Sequence, residues 1–278
     1  MSQLAQLGKG DWEGFNPELL PVFQKAAASW RRELGSTQKP WLCWHVDPDW
    51  CMLQQRLVLS AGWTPVVGAD PRSPKPRLLP ESIYIDFNQD FNLPLMWPHF
   101  PIEWAHAWTE RLAFWHADLI CSRQDVQALA AIFERLPDGE MAAVLSRGGL
   151  RQLFHFRHHR YWEVLGCTTR GASANQYQTG TGWWRNFFLH PNTPDAERAV
   201  RQRYYYDSGV GIMYWKRHCG GVVRRIPDSY LAGHCTSINN SAFKTIRVNK
   251  ERVLSQELSV NFSLVEVAKR FGVTDLLG

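Results

Sequence analysis

His116 and Asp118 stand two residues apart where the apolar run Leu112-Ala113-Phe114-Trp115 gives way to Leu119-Ile120. In a strand, residues i and i+2 point the same way, so a strand over 112–120 presents an imidazole and a carboxylate side by side. That pairing suits the binding of a metal ion. Ser122-Arg123-Gln124-Asp125 then reads as a helix cap, and Val126, Leu129, Ala130, Phe133 and Leu136 recur at helical spacing. The pair therefore belongs to a strand-to-helix junction, and open α/β sheets bind their ligands at the carboxyl ends of their strands.

The elements that must position this pair follow from periodicity. A helix over 17–34 is closed by Gly35, a strand covers 41–46, a helix over 50–61 is closed by Gly62, and a short strand covers 64–67. The Pro-rich, basic segment 71–80 reads as a loop, and 82–87 as strand-like with Asp86 near its end. A helix from 101 through Trp108 and Arg111 leads to the 112–120 strand, then the capped helix, a turn at Pro137-Asp138-Gly139 and a strand over 141–145. Alternating strands and helices predict an α/β fold with a mostly parallel central sheet flanked by helices. The second half is richer in His, Arg, Gly and aromatic residues and less regular, until a terminal helix over 264–271. The chain reads as a single α/β domain over 1–278.

Composition narrows the possibilities. With 278 residues, 45% of them hydrophobic, the chain has ample material for a core. Its six cysteines include no C-x-x-C pair and its start lacks a charged-then-apolar leader, which implies a cytoplasmic protein with free thiols. No apolar stretch reaches the roughly 18 to 20 residues of a membrane span. The net charge of +5 is dispersed apart from clusters at 151–160 and 198–203, which favours anionic small ligands without demanding nucleic acid. The 14 tryptophans offer flat faces for stacking on sugar rings or bases as well as bulk for a core.

Three segments of the second half carry further candidates. Residues 163–170 gather Glu163, two threonines and Arg170 around Gly166. Residues 176–185 combine Gln176 with glycines and the pair Trp183-Trp184, a mixture that suits a sugar's hydroxyls and apolar face. Asp207 precedes Ser208-Gly209-Val210-Gly211. Arg151, Arg157, His158, His159 and Arg160 form a basic group suited to phosphates or to a solvated face.

The run 112–120, the helix after it and Ala142-Ala143-Val144 resemble the core of GT-A-type nucleotide-sugar glycosyltransferases. In that family a strand ends in an Asp-x-Asp motif, a helix follows and the next strand begins the acceptor half. The resemblance implies that Asp118 matches the second Asp, which binds a divalent metal (Mn²⁺ or Mg²⁺) bridging the nucleotide diphosphate. His116 replaces the first Asp, and imidazole shifts preference from Mg²⁺ toward softer ions.

The resemblance further implies a nucleotide-sugar-binding half over 37–146, with His116, Asp86 and Arg170 as contacts to the co-substrate, and an acceptor half over 147–278. Some such families return a late His to the metal, and His234 after Gly233 is the candidate here; its alternative is a turn cap or core histidine. Trp183, Trp184 and Gln176 would hold substrate. Asp207 is the leading candidate to orient or deprotonate an acceptor hydroxyl, with Glu163 its competitor. The acceptor would be a glycan or other hydroxyl-bearing molecule, including a macromolecule such as modified DNA.

Other chemistries lack their signatures. There is no G-x-x-x-x-G-K-[ST] phosphate loop, H-E-x-x-H helix or G-x-S-x-G elbow, and His218, Cys219, His234 and Cys235 do not follow a known zinc spacing. The competing reading is a non-catalytic carbohydrate- or nucleic-acid-binding protein that uses its tryptophans and basic clusters.

Overall fold

The computed structural model describes residues 20–45, 47–69, 76–87, 99–146, 159–184, 186–204, 208–234 and 263–278. The candidates Asp207, Arg151, Arg157, His158 and Cys235 lie outside these residues. The described strands are β1 (Pro40–His45), β2 (Thr64–Ala69), β3 (Ile83–Tyr84), β4 (Arg111–Trp115), β5 (Glu140–Leu145), β6 (Tyr161–Thr169) and β7 (Val222–Ile226). They form one sheet in the order β3-β2-β1-β4-β6-β5-β7. All run in one direction except β6, which lies antiparallel between β4 and β5. The α/β fold with a mostly parallel sheet is thus present, in mixed form.

The flanking helices are α1 (Leu20–Leu34), α2 (Pro48–Ser60), α3 (His99–Glu103), α4 (Ala105–Trp108), α5 (Arg123–Glu134), α6 (Arg170–Gln178), α7 (Asp195–Arg201), α8 (Val210–His218) and α9 (Leu264–Arg270). Two of them start on side-chain caps, of which the one at Ser122 was expected. Asp47 caps α2 by accepting from the amides of Asp49 and Trp50, with Pro48 in the first turn, and Ser122 caps α5 by accepting from Asp125 N. Two expectations contract. The strand-like stretch 82–87 pairs only over β3, and the helix from 101 stops at Trp108, because Thr109 is extended and Arg111 already belongs to β4. Arg111 donates to the carbonyls of Phe133 and Leu136, tying the end of α5 beneath β4.

Every residue of β1 is buried, as expected of a parallel strand covered on both faces. Tryptophan fills the layers. Trp41 packs against Trp115, Phe133 and Trp63 with ring centroids 4.9, 5.2 and 5.6 Å away. Every described tryptophan except Trp162 is buried, so these side chains are core rather than stacking surface. No helix of the described residues is long and apolar enough to cross a membrane, and the described cysteines are free thiols.

β6 was not legible as a strand. Gly166 interrupts it for a packing reason: a Cβ there would lie 2.5 Å from the Phe114 ring and 2.6 Å from the Ala142 carbonyl. Its flanking charges do not alternate with a solvent face, since Glu163 is pushed against β4's end.

The second half is fastened to the sheet by buried polar groups. Glu103, at the end of α3, accepts from the Trp183 amide at 2.7 Å. Gly182 sits at φ +104°, where a Cβ would be 2.6 Å from the Glu103 carboxylate. The buried Arg201 guanidinium donates to Gly180 O at 2.6 Å, Thr179 O at 2.9 Å and Glu197 at 2.7 Å, and lies over the Tyr214 ring.

Burial pushes the Glu103 carboxyl up from 4.5 to about 8, so the folded protein keeps a proton there that the unfolded chain has released. The stability carried by the neutral acid is complete below about pH 4.5 and is lost as pH rises toward about 8, at up to about 1.4 kcal/mol per pH unit. Glu103→Gln keeps an acceptor for the Trp183 amide and removes the titration. Urea-unfolding midpoints measured across this range should fall with pH in the wild type relative to the variant, and parallel curves would refute the assignment.

Candidate metal centre

Chain order places the site before any side chain is considered. From β1 the chain moves to β2 and β3 on one side, and β4 lies on the other, so the carboxyl edge between β1 and β4 is a topological switch point. The strand expected over 112–120 ends there at Trp115, and residues 116–119 turn instead, with Leu119 N donating to His116 O at 3.1 Å. The last ladder bond runs from His116 N to Val164 O at 2.9 Å. Beyond it, the buried Gln54 side-chain amide donates to the carbonyls of His116 at 2.7 Å and Leu119 at 2.9 Å, satisfying groups that a longer strand would have given to a neighbour.

The turn nevertheless brings the two side chains together: His116 Nδ1 is 3.8 Å from Asp118 Oδ1. The same-face argument from strand geometry is replaced by a turn held from α2.

His234 arrives from the far end of the chain. It follows a 3₁₀ turn, Asp228–Leu231, bonds its amide to Leu231 O at 2.9 Å and forms an antiparallel bridge with Leu119. Ile120 N donates to Gly233 O at 3.2 Å. A Cβ on Gly233 would stand 1.6 Å from Ile120 O, so the glycine lets one backbone meet another rather than a ligand. His234 Nε2 thereby lies 3.2 Å from Asp118 Oδ1, and the two imidazole centroids are 5.3 Å apart.

His116, Asp118 and His234 each offer a ligand atom within 4.8 Å of the others. Their side chains are 28%, 11% and 6% exposed, so the cluster opens to solvent on the His116 side. Two imidazoles and one carboxylate suit a first-row divalent ion better than Mg²⁺, which prefers oxygen ligands, and three protein donors leave positions open for a substrate.

The other sequence candidates distribute as follows. Glu163 joins the cluster, 4.0 Å from His116 Nε2. Asp86 is exposed just beyond β3, three strand positions from β4, or about 14 Å at about 4.8 Å per strand. Arg170 is at the opposite edge, because β6 runs antiparallel and carries Glu163 at its start and Arg170 just past its end; there it pairs with Glu110. Trp183 and Trp184 are buried at 2% and 7% exposure, and the Gln176 amide donates to Met141 Sδ inside the core. None of these three lines an open cleft. His218 bonds to the Tyr204 hydroxyl rather than to the cluster.

Gln54 is the functional residue that sequence reading passed over. It lies on the buried face of α2 with Trp50, Leu57 and Val58, and a polar residue in that apolar phase was the available signal.

Gly233→Ala should displace the 233–234 backbone from Ile120 and draw His234 away from Asp118. Calorimetric titration with Mn²⁺ or Co²⁺ should then show at least tenfold weaker binding than the wild type, together with a lowered melting temperature. Undiminished metal affinity would refute the dependence of the cluster on this approach. Compared with known proteins, the chain matches no family model, no curated protein and no solved structure.

Proposed function

We propose that the protein is a metal-dependent glycosyltransferase that moves a sugar from a nucleotide-sugar donor to an acceptor hydroxyl. The observation that carries this reading is the return of His234 to Asp118 at the carboxyl edge of β4. In the GT-A-type enzymes that the 112–120 run resembles, that is where a motif aspartate and a late histidine hold the metal. The donor chemistry fits. Asp118, His234 and His116 would hold a divalent ion, which when bound neutralises the charge that builds on a departing nucleotide diphosphate.

The rest of the reaction falls to side chains. Gln54 keeps the turn in place, so that Asp118 does not have to be reoriented when substrate arrives. His116, the most exposed of the three, faces the side from which a diphosphate would enter. Asp207 remains the nominated contact to the acceptor hydroxyl.

The competing reading is a non-catalytic carbohydrate- or nucleic-acid-binding protein that uses tryptophans and basic clusters; burial of all described tryptophans but Trp162 leaves it mainly the basic clusters. A thermal-shift panel of nucleoside diphosphates and sugar nucleotides, with and without Mn²⁺, tests the proposal on wild type and Asp118→Asn. A ligand at about 100 times its dissociation constant adds about 2.7 kcal/mol, a readily measured shift. Stabilisation by one nucleotide that requires metal and vanishes in the variant is expected; no response to any nucleotide would refute the transferase reading.

A further inference from the structure

We infer that Glu163 is a positioning residue for the metal centre, fixing His116 as an Nδ1 ligand by accepting a hydrogen bond from its Nε2–H. The inference rests on the proposed metal site and assigns a different role to Glu163 from that of an acceptor base. Its evidence is the orientation of one ring. His116 Nδ1 faces Asp118 at 3.8 Å, and Nε2 faces Glu163 Oε1 at 4.0 Å. The two nitrogens of an imidazole diverge, so only one can face the space shared by Asp118 and His234. Asp118 Oδ1 already lies 3.2 Å from His234 Nε2, which puts that space on the Nδ1 side.

The partner on the other side is well placed to set the tautomer. Glu163 is 13% exposed and projects from β6, whose register holds Trp115 opposite Leu165 and whose Val164 carbonyl takes the His116 amide. Sheet pairing therefore fixes the distance between the two backbones. A carboxylate accepting from a ligand imidazole keeps the proton on the remote nitrogen, leaves the near one free to donate its lone pair, and makes it a stronger donor. The 4.0 Å separation is longer than a hydrogen bond and has to shorten on metal loading. Glu163 engaged in this way is turned toward His116 rather than toward an acceptor, which leaves the base role to another carboxylate.

The experiment is titration of the metal-free full chain with Zn²⁺ and Co²⁺ for wild type, Glu163→Gln and Glu163→Ala, with ¹⁵N-histidine spectra of the Zn²⁺-loaded proteins. The expected result is wild-type binding through His116 Nδ1 with Nε2 protonated. Affinity should fall 10- to 100-fold in Glu163→Ala and less in Glu163→Gln, whose carbonyl can still accept. Urea unfolding in chelator monitors the fold of each variant, and Glu163→Gln keeps the shape of the side chain if Glu163→Ala does not fold. Equal affinities across wild type and Glu163→Gln and Glu163→Ala, or Nε2 as the coordinating atom, would overturn the inference while leaving the metal site intact. Absence of metal binding by the wild type would overturn the metal site and this inference with it.

Discussion

The site depends on one close approach of backbone to backbone. Gly233 passes against Ile120 at a distance that no side chain permits, and the bridge between Leu119 and His234 follows from it. Without that contact, Asp118 would share its turn only with His116, and a single imidazole and carboxylate bind a divalent ion poorly. The approach itself is possible because Gln54 consumes the carbonyls of His116 and Leu119 from beneath, leaving Ile120 to pair with the incoming chain. Helix α2, the β4 turn and the 3₁₀ turn before His234 therefore form one assembly. The C-terminal residues reinforce it, with Phe271 against Gly233, Arg123 paired with Asp275 and Arg56 donating to Leu276 O.

Much of the first half was legible in the sequence, because local signals and tertiary structure agree there. Ser122 caps the helix it announced, Gly35 and Gly62 adopt the positive φ that ends a helix, and the strands after them pair in parallel. The end of β4 was misread for an instructive reason. Leu119 and Ile120 are apolar and fully buried, so their composition continues the strand pattern even though the backbone has turned. Hydrophobicity reports burial, and burial alone does not distinguish a strand from a turn packed beneath a helix.

The second half was less legible because its polar residues serve the interior. The glycines of 180–182 and the adjacent Trp183 and Trp184 have the composition of a sugar pocket, yet they fold around the neutral Glu103 carboxyl and the charged Arg201 guanidinium. A buried charge with several partners and an exposed site with several ligands draw on the same residue types. Residues 163–170 show a related ambiguity. Read in one dimension they cluster an acid, hydroxyls and an arginine; stretched along β6, they place Glu163 and Arg170 at opposite edges of the sheet.

Asp118 and His234 are separated by more than a hundred residues of chain and meet only in the folded state. An ion held by both is a removable cross-link closing a very long loop, and the entropic gain from such a closure grows with the length enclosed. The free energy of binding is shared with the docking of everything between and beyond those two positions, including α9, whose following residue Phe271 packs on Gly233. With an ion bound, the proposed centre would couple occupancy to cohesion: stripping the ion would loosen the far end of the chain, and freeing that end would weaken the grip on the ion.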